Sequence, residues 1–103
     1  MTQAIRIRAR LSGELTEVRV LMLHPMETGL RKDAEGAFVP AHYITTVQVS
    51  TGPRTLLQAR MTLAVSQDPL LSFRFRGAKP GDPVAVRWLD NRGRQQQAQT
   101  LVV

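Results

Sequence analysis

Ala4-Ile5-Arg6-Ile7-Arg8-Ala9-Arg10 alternates apolar and cationic side chains without a break. Successive side chains of a β-strand point to opposite faces, so this period of two marks a strand with one face on a core and one in water. Ser12-Gly13 closes the segment, and Leu15 to His24 reads as a second strand. After a break rich in Gly, Pro and charge from Pro25 to Pro40, the pattern resumes from Ala41 to Val49, where Ile44, Thr45, Thr46, Val47 and Val49 are β-branched. Ser50-Thr51-Gly52-Pro53 turns the chain into a fourth strand, Thr55 to Leu63. Asp68-Pro69 precedes Leu70 to Arg76, with Leu71, Phe73 and Phe75 on one face. Lys79-Pro80-Gly81-Asp82 turns into Pro83 to Leu89, which sends Val84, Val86 and Trp88 one way, and Asp90-Asn91-Arg92-Gly93 leads to a last strand, Gln95 to Val102.

Seven short strands with no helix between them predict an all-β, immunoglobulin-like antiparallel β-sandwich, a single domain over residues 1–103. The Cys…Trp…Cys hallmark of true immunoglobulin domains is absent, so the likeness is architectural. In such a topology the first, second, fourth and fifth strands share one sheet. There is no internal repeat, and Gln95-Gln96-Gln97 is too short to count as low complexity.

Composition narrows the function. A hydrophobic fraction of 43% with 21% charged residues is that of an ordinary folded domain, and 103 residues suffice for one core. With no cysteine, disulfides, thiolate metal sites and cysteine nucleophiles are excluded. Fourteen Lys plus Arg against eight Asp plus Glu leave a net charge of +6, and all the basic residues but Lys32 and Lys79 are Arg. Guanidinium forks match carboxylates and other oxyanions, so an anionic partner is expected. Met1 to Arg10 has no apolar run behind it and does not read as a secretory signal; Val18 to Leu23 contains Arg19 and is far too short to span a bilayer.

Catalytic signals are sparse. His24 and His42 are the only histidines and flank the Pro25–Pro40 loop, but no Gly-x-Ser-x-Gly elbow accompanies them. They read as polar residues at the loop edges. Met22-x-His24-x-Met26 would put two thioethers and an imidazole on one side of an extended segment, a soft set for Cu(I), yet Met22 continues the inward row of Val18 and Val20 and reads as core filler. No glycine lies where a dinucleotide loop needs one. No catalytic residue, metal or cofactor is therefore expected.

The arginines are more informative. Arg6, Arg8, Arg10, Arg19, Arg60, Arg74 and Arg76 all oppose inward apolar neighbours and would build one basic outer face, if they are not merely solvated edge guards. A nucleic-acid partner would want exposed aromatics among them, but Phe73, Phe75 and Trp88 alternate inward, leaving Tyr43 and Phe38. On the opposite sheet Ala85, Arg87 and Leu89 point outward, and Val47 and Val49 lie across the strand from Ile44. Two-faced apolarity of this kind suggests a covered, partner-facing sheet.

His24-Pro25-Met26-Glu27-Thr28-Gly29-Leu30-Arg31-Lys32-Asp33-Ala34-Glu35-Gly36, followed by Val39-Pro40-Ala41-His42-Tyr43-Ile44, resembles the signature of the SoxZ family, a subunit of the sulfur-oxidation carrier. The likeness extends through the Leu-x-Phe-x-Phe strand, the Gly81-Asp82 turn and Trp88-x-Asp90-Asn91-x-Gly93. It implies a non-catalytic immunoglobulin-like subunit that pairs with SoxY in the periplasm, exported with that signal-bearing partner. SoxY carries the sulfur covalently on a cysteine during thiosulfate oxidation, and the pair meets other Sox enzymes transiently. Met26, Glu27, Thr28, Arg31, Lys32 and Asp33 would then be a docking loop, with neither nucleic acid nor membrane as partner. The competing readings are a basic β-domain that binds nucleic acid and an autonomous enzyme.

Overall fold

The computed structural model describes residues 4–103, so the first three residues of the leader reading lie outside it. The strands are β1 (Ile5–Ser12), β2 (Leu15–Met22), β3 (Ile44–Thr51), β4 (Arg54–Arg60), β5 (Leu70–Arg76), β6 (Pro83–Asp90) and β7 (Gln95–Leu101). All pairings are antiparallel, in a three-stranded sheet ordered β1-β2-β5 and a four-stranded sheet ordered β4-β3-β6-β7. The predicted all-β sandwich is thus the observed one, and its seven strands match to within a few residues. The largest boundary differences are at β3, which begins at Ile44 rather than Ala41, and at β4, which ends at Arg60 rather than Leu63.

The sharing of strands departs from expectation. The fourth strand joins β3 and not the sheet of β1, β2 and β5. Its turn explains this: Thr51 pairs with Arg54 across Gly52 (φ 55°) and Pro53. A two-residue hairpin loop makes its strands ladder neighbours and cannot cross the roughly 10 Å between stacked sheets. β4 therefore takes the place of the extra strand that variable-type immunoglobulin domains add beside their third strand. Arg60 moves with it, opposite Thr46 on the other sheet, and leaves the predicted basic face.

Val18, Val20, Met22, Ile44, Val47, Val49, Val84, Val86 and Trp88 fill the space between the sheets. Each such side chain contributes about 1.5–3 kcal/mol on burial. Val47 and Val49 are 1% and 0% exposed, so they are core and not partner-facing. The cause is a bulge: Ile44 pairs with Asp90 and Thr46 with Leu89, leaving Thr45 as an extra residue. Thr45 Oγ1 donates to the Leu89 carbonyl at 3.0 Å. One inserted residue shifts the alternation by one, so Ile44 and Val47, three apart, both face inward. Val103 then closes one side of the sandwich, accepting from Leu11 N and donating to Ala9 O. No helix among the described residues is long and apolar enough to cross a membrane.

Candidate functional site

At one end of the sandwich β2 runs out into His24, β6 ends in Asp90, and His42 leads into β3. The three side chains meet. His24 Nε2 lies 3.3 Å and His42 Nε2 2.8 Å from the same oxygen, Asp90 Oδ2. Asp90 Oδ1 accepts from the backbone amides of Arg92 and Arg94, each at 2.9 Å, which shapes the β6–β7 turn. Two imidazoles and two amides thus occupy both oxygens of a carboxylate that is 3% exposed, and a buried charge needs such compensation. The imidazole centroids are 4.4 Å apart, and the Trp88 ring stands nearly perpendicular to His24 at 5.2 Å.

Burial pushes the Asp90 carboxyl upward, but the hydrogen bonds from His42, the Arg94 amide, His24 and the Arg92 amide outweigh it and hold it below its ordinary value. Burial lowers His24 below its usual range, with the Asp90 contact opposing and the positive fields of His42 and Arg92 assisting. His24 Nδ1 accepts from the Met26 amide at 3.1 Å, so in the neutral ring the proton sits on Nε2 and points at Asp90. This also tests the cluster as a metal centre, since among the described residues it offers three donor atoms within 4.8 Å of one another. An ion at the junction would need the Nε2 lone pair and so a protonated Nδ1, facing the Met26 N–H. The donors fit a proton-bridged clasp better than a cation. Met22-x-His24-x-Met26 is no ligand row either: β2 ends at Met22, Met26 turns at φ 48°, and its Sδ accepts from Ile44 N at 3.3 Å.

The clasp forms the root of an ordered ribbon. Glu27 and His42 exchange backbone hydrogen bonds of 2.6 and 2.9 Å, Val39 N donates to Arg31 O at 2.7 Å, and Asp33 N donates to Ala37 O at 2.8 Å. At the tip Asp33 Oδ1 accepts from the amides of Glu35 and Ala37. Gly36 turns there at φ 82°, and Gly29, at φ 86°, is held against Ala41. Asn91 secures the return strand, accepting from Tyr43 N and donating to Ala41 O.

These bonds sort the six residues assigned to the docking loop. Met26 is buried, because its backbone turns the thioether into the core. Glu27 and Arg31 hold each other, with Arg31 Nη2 2.7 Å from Glu27 Oε1; the guanidinium keeps the Glu27 carboxyl below its ordinary value. Asp33 is spent on the tip, and Thr28 Oγ1 accepts from Leu30 N. Lys32 remains outward, 5.2 Å from the Phe38 ring centroid. The ribbon's apolar offering is Leu30 and Phe38, 78% and 62% exposed; the sequence reading left Phe38 outward but missed Leu30. The signal for Leu30 was available, since it is a large apolar residue flanked by Gly29 and Arg31 in a charged, glycine-containing stretch.

Arg6, Arg8, Arg10, Arg19, Arg74 and Arg76 do share the outer face of the three-stranded sheet. On the other sheet Ala85, Arg87 and Leu89 point outward among Thr46, Gln48, Gln97 and Gln99, around two shallow hollows of about 550 and 510 Å³.

The family described as "Sulphur oxidation protein SoxZ" matches residues 5–101. No curated protein matches the chain. Among solved structures the chain is similar to the hypothetical protein PH1083 of Pyrococcus horikoshii OT3, at 14% identity and TM-score 0.62, covering 96% of this chain and 85% of that one. It is also similar to a superoxide reductase in the oxidised state, at 13% identity and TM-score 0.67 over 98% and 88% of the two chains. A point variant of the superoxide reductase (neelaredoxin) from Ignicoccus hospitalis gives 16% identity and TM-score 0.67 over 98% and 79%. Identities this low establish a common sandwich and carry nothing about activity.

Proposed function

The chain belongs to the SoxZ family of sulphur oxidation proteins, and from that membership we propose that it is the non-catalytic subunit of a periplasmic sulfur-carrier complex. Its partner is SoxY, whose cysteine holds the sulfur during thiosulfate oxidation. The observation that carries this reading is the family match over nearly the whole chain, ribbon included. The absence of cysteine from the sequence agrees with a division of labour in which covalent chemistry stays on the partner.

The outer face of the four-stranded sheet seats SoxY, through Ala85, Arg87 and Leu89 and the glutamines beside them. Val47 and Val49 support that sheet from within. The ribbon presents Leu30, Lys32 and Phe38 to the enzymes that act on the carried sulfur. The clasp holds the ribbon's root and performs no chemistry on sulfur.

Co-expression with SoxY should give a stable heterodimer on gel filtration, and Leu89→Arg should weaken it by about tenfold or more while leaving the thermal transition of the single chain in place. A monodisperse monomer that ignores SoxY would sink the reading.

A further inference from the structure

β1, β2 and β5 turn Arg6, Arg8, Arg10, Arg19, Arg74 and Arg76 to one outer surface, with Glu17 the single carboxylate among them. Glu17 Oε1 accepts from Arg19 Nε at 3.0 Å, and its Oε2 lies 3.6 Å from Arg74 Nε. One carboxylate cannot neutralise six guanidiniums. The register makes the imbalance sharper, because Arg8 sits directly opposite Arg19. Like charges facing each other across a ladder destabilise a sheet, and Glu17, opposite Arg10 and bonded to Arg19, is the one carboxylate near this pair. Glu17 offsets part of this charge through Arg19 and Arg74, and an anion brought from outside would offset the rest.

We propose that this face is a docking surface for an acidic protein, distinct from the sheet assigned above to SoxY. Four features select a protein over a nucleic acid. Glu17 stands in the middle of the patch, where it repels a phosphate backbone but joins readily in a network of carboxylates and guanidiniums. No aromatic lies on the face, since Phe73 and Phe75 turn inward, so bases have no stacking platform. Leu21 and Leu70 pair across β2 and β5 beside Arg6, with Leu70 61% exposed, and give the patch an apolar edge suited to a protein contact. Every cation on the face is Arg, the basic residue enriched in protein interfaces. The proposal rests on the Sox reading only for the identity of the acidic protein, not for its chemistry.

The test uses the full chain and two probes, a labelled glutamate-rich peptide and a duplex DNA of equal charge, with binding followed by fluorescence anisotropy against NaCl. Arg8→Glu/Arg19→Glu should lose about tenfold or more in peptide affinity and flatten the log–log salt slope. Arg60→Glu/Lys79→Glu, which removes the same net charge elsewhere, should lose less than about twofold. Equal loss in both variants would reduce the effect to net charge and overturn the proposal. So would tighter binding to DNA than to peptide, or binding to neither. Repeating the titration on the heterodimer should leave peptide affinity unchanged; its loss there would assign the face to the SoxY contact and overturn it as well. Failure to form a heterodimer counts against the proposed function alone, because the single-chain titration stands by itself.

Discussion

Asp90 joins three distant parts of the chain through one side chain. Its Oδ1 closes the β6–β7 turn while Oδ2 gathers His24 and His42, 66 and 48 residues away in sequence. Replacing it by Asn keeps the shape but turns an N–H toward an imidazole N–H and removes the charge. Asp90→Asn should therefore cost about 2–4 kcal/mol, read from urea midpoints. The same group sets the response to acid. His24 is lowered in the folded chain, so below about 6.5 the unfolded chain takes up a proton that the folded one resists, and stability falls with pH. Asp90 is held below its ordinary 3.8, so its contribution is complete above that value and is lost only as pH falls further. Between about pH 7.5 and 5 His24 thus contributes a loss of stability as pH falls, and His24→Asn should remove that contribution. Equal wild-type stability at the two ends would contradict the clasp. Sequence alone offered both histidines as candidates by residue type and placed them at either end of the loop. Their convergence depends on the alignment of β2, β3 and β6, and Asp90 looked like an ordinary turn residue.

At the scale of elements, the ribbon from Glu27 to His42 is ordered by its own backbone bonds and by Asp33, Asn91 and the clasp. An ordered projection with an exposed ring loses little conformational freedom on binding, which makes Phe38 an efficient anchor. In a thiosulfate-dependent assay reconstituted with the heterodimer, Phe38→Ala and Lys32→Glu should each raise the apparent KM for the carrier by about three- to tenfold. The heterodimer and kcat should be unaffected; an unchanged KM for both variants would remove the ribbon from the docking role. The existence of β1 to β7 was written in period-two alternation and turn residues, and the inward row Val84, Val86 and Trp88 follows from it directly. What alternation could not show was the bulge at Thr45, because a bulge is a mismatch between two strands and leaves no mark in one. The outward assignment of Val47 and Val49 failed for that reason, and Met26 for a related one: a residue at positive φ breaks the parity of its neighbours.

For the molecule as a whole, the excess of +6 is unevenly spread, with a net +5 on the outer face of β1, β2 and β5, counting six arginines less Glu17. The sequence showed these arginines to be outward but could not divide the strands between sheets. That division followed from the tightness of the Gly52-Pro53 turn, and it sent Arg60 to the far side. A face so charged repels itself, and salt should relieve it: the screening length falls from about 30 Å at 0.01 M to about 3 Å at 1 M. The exposed ion pairs of Glu17 and Glu27 weaken as well, but such pairs contribute little, so relief of repulsion prevails. The Tm of the isolated chain should therefore rise by about 3–6 °C between those NaCl concentrations. Arg8→Gln/Arg19→Gln removes the directly opposed pair, and should start from a higher Tm at low salt and gain less from added NaCl. NaCl is preferred to sulfate because sulfate favours the compact state of any protein by exclusion from its surface. A Tm that falls with NaCl, or a double variant that rises in parallel with the parent, would mean that the opposed arginines do not strain the free sheet, and would take away the physical ground for an acidic partner on that face.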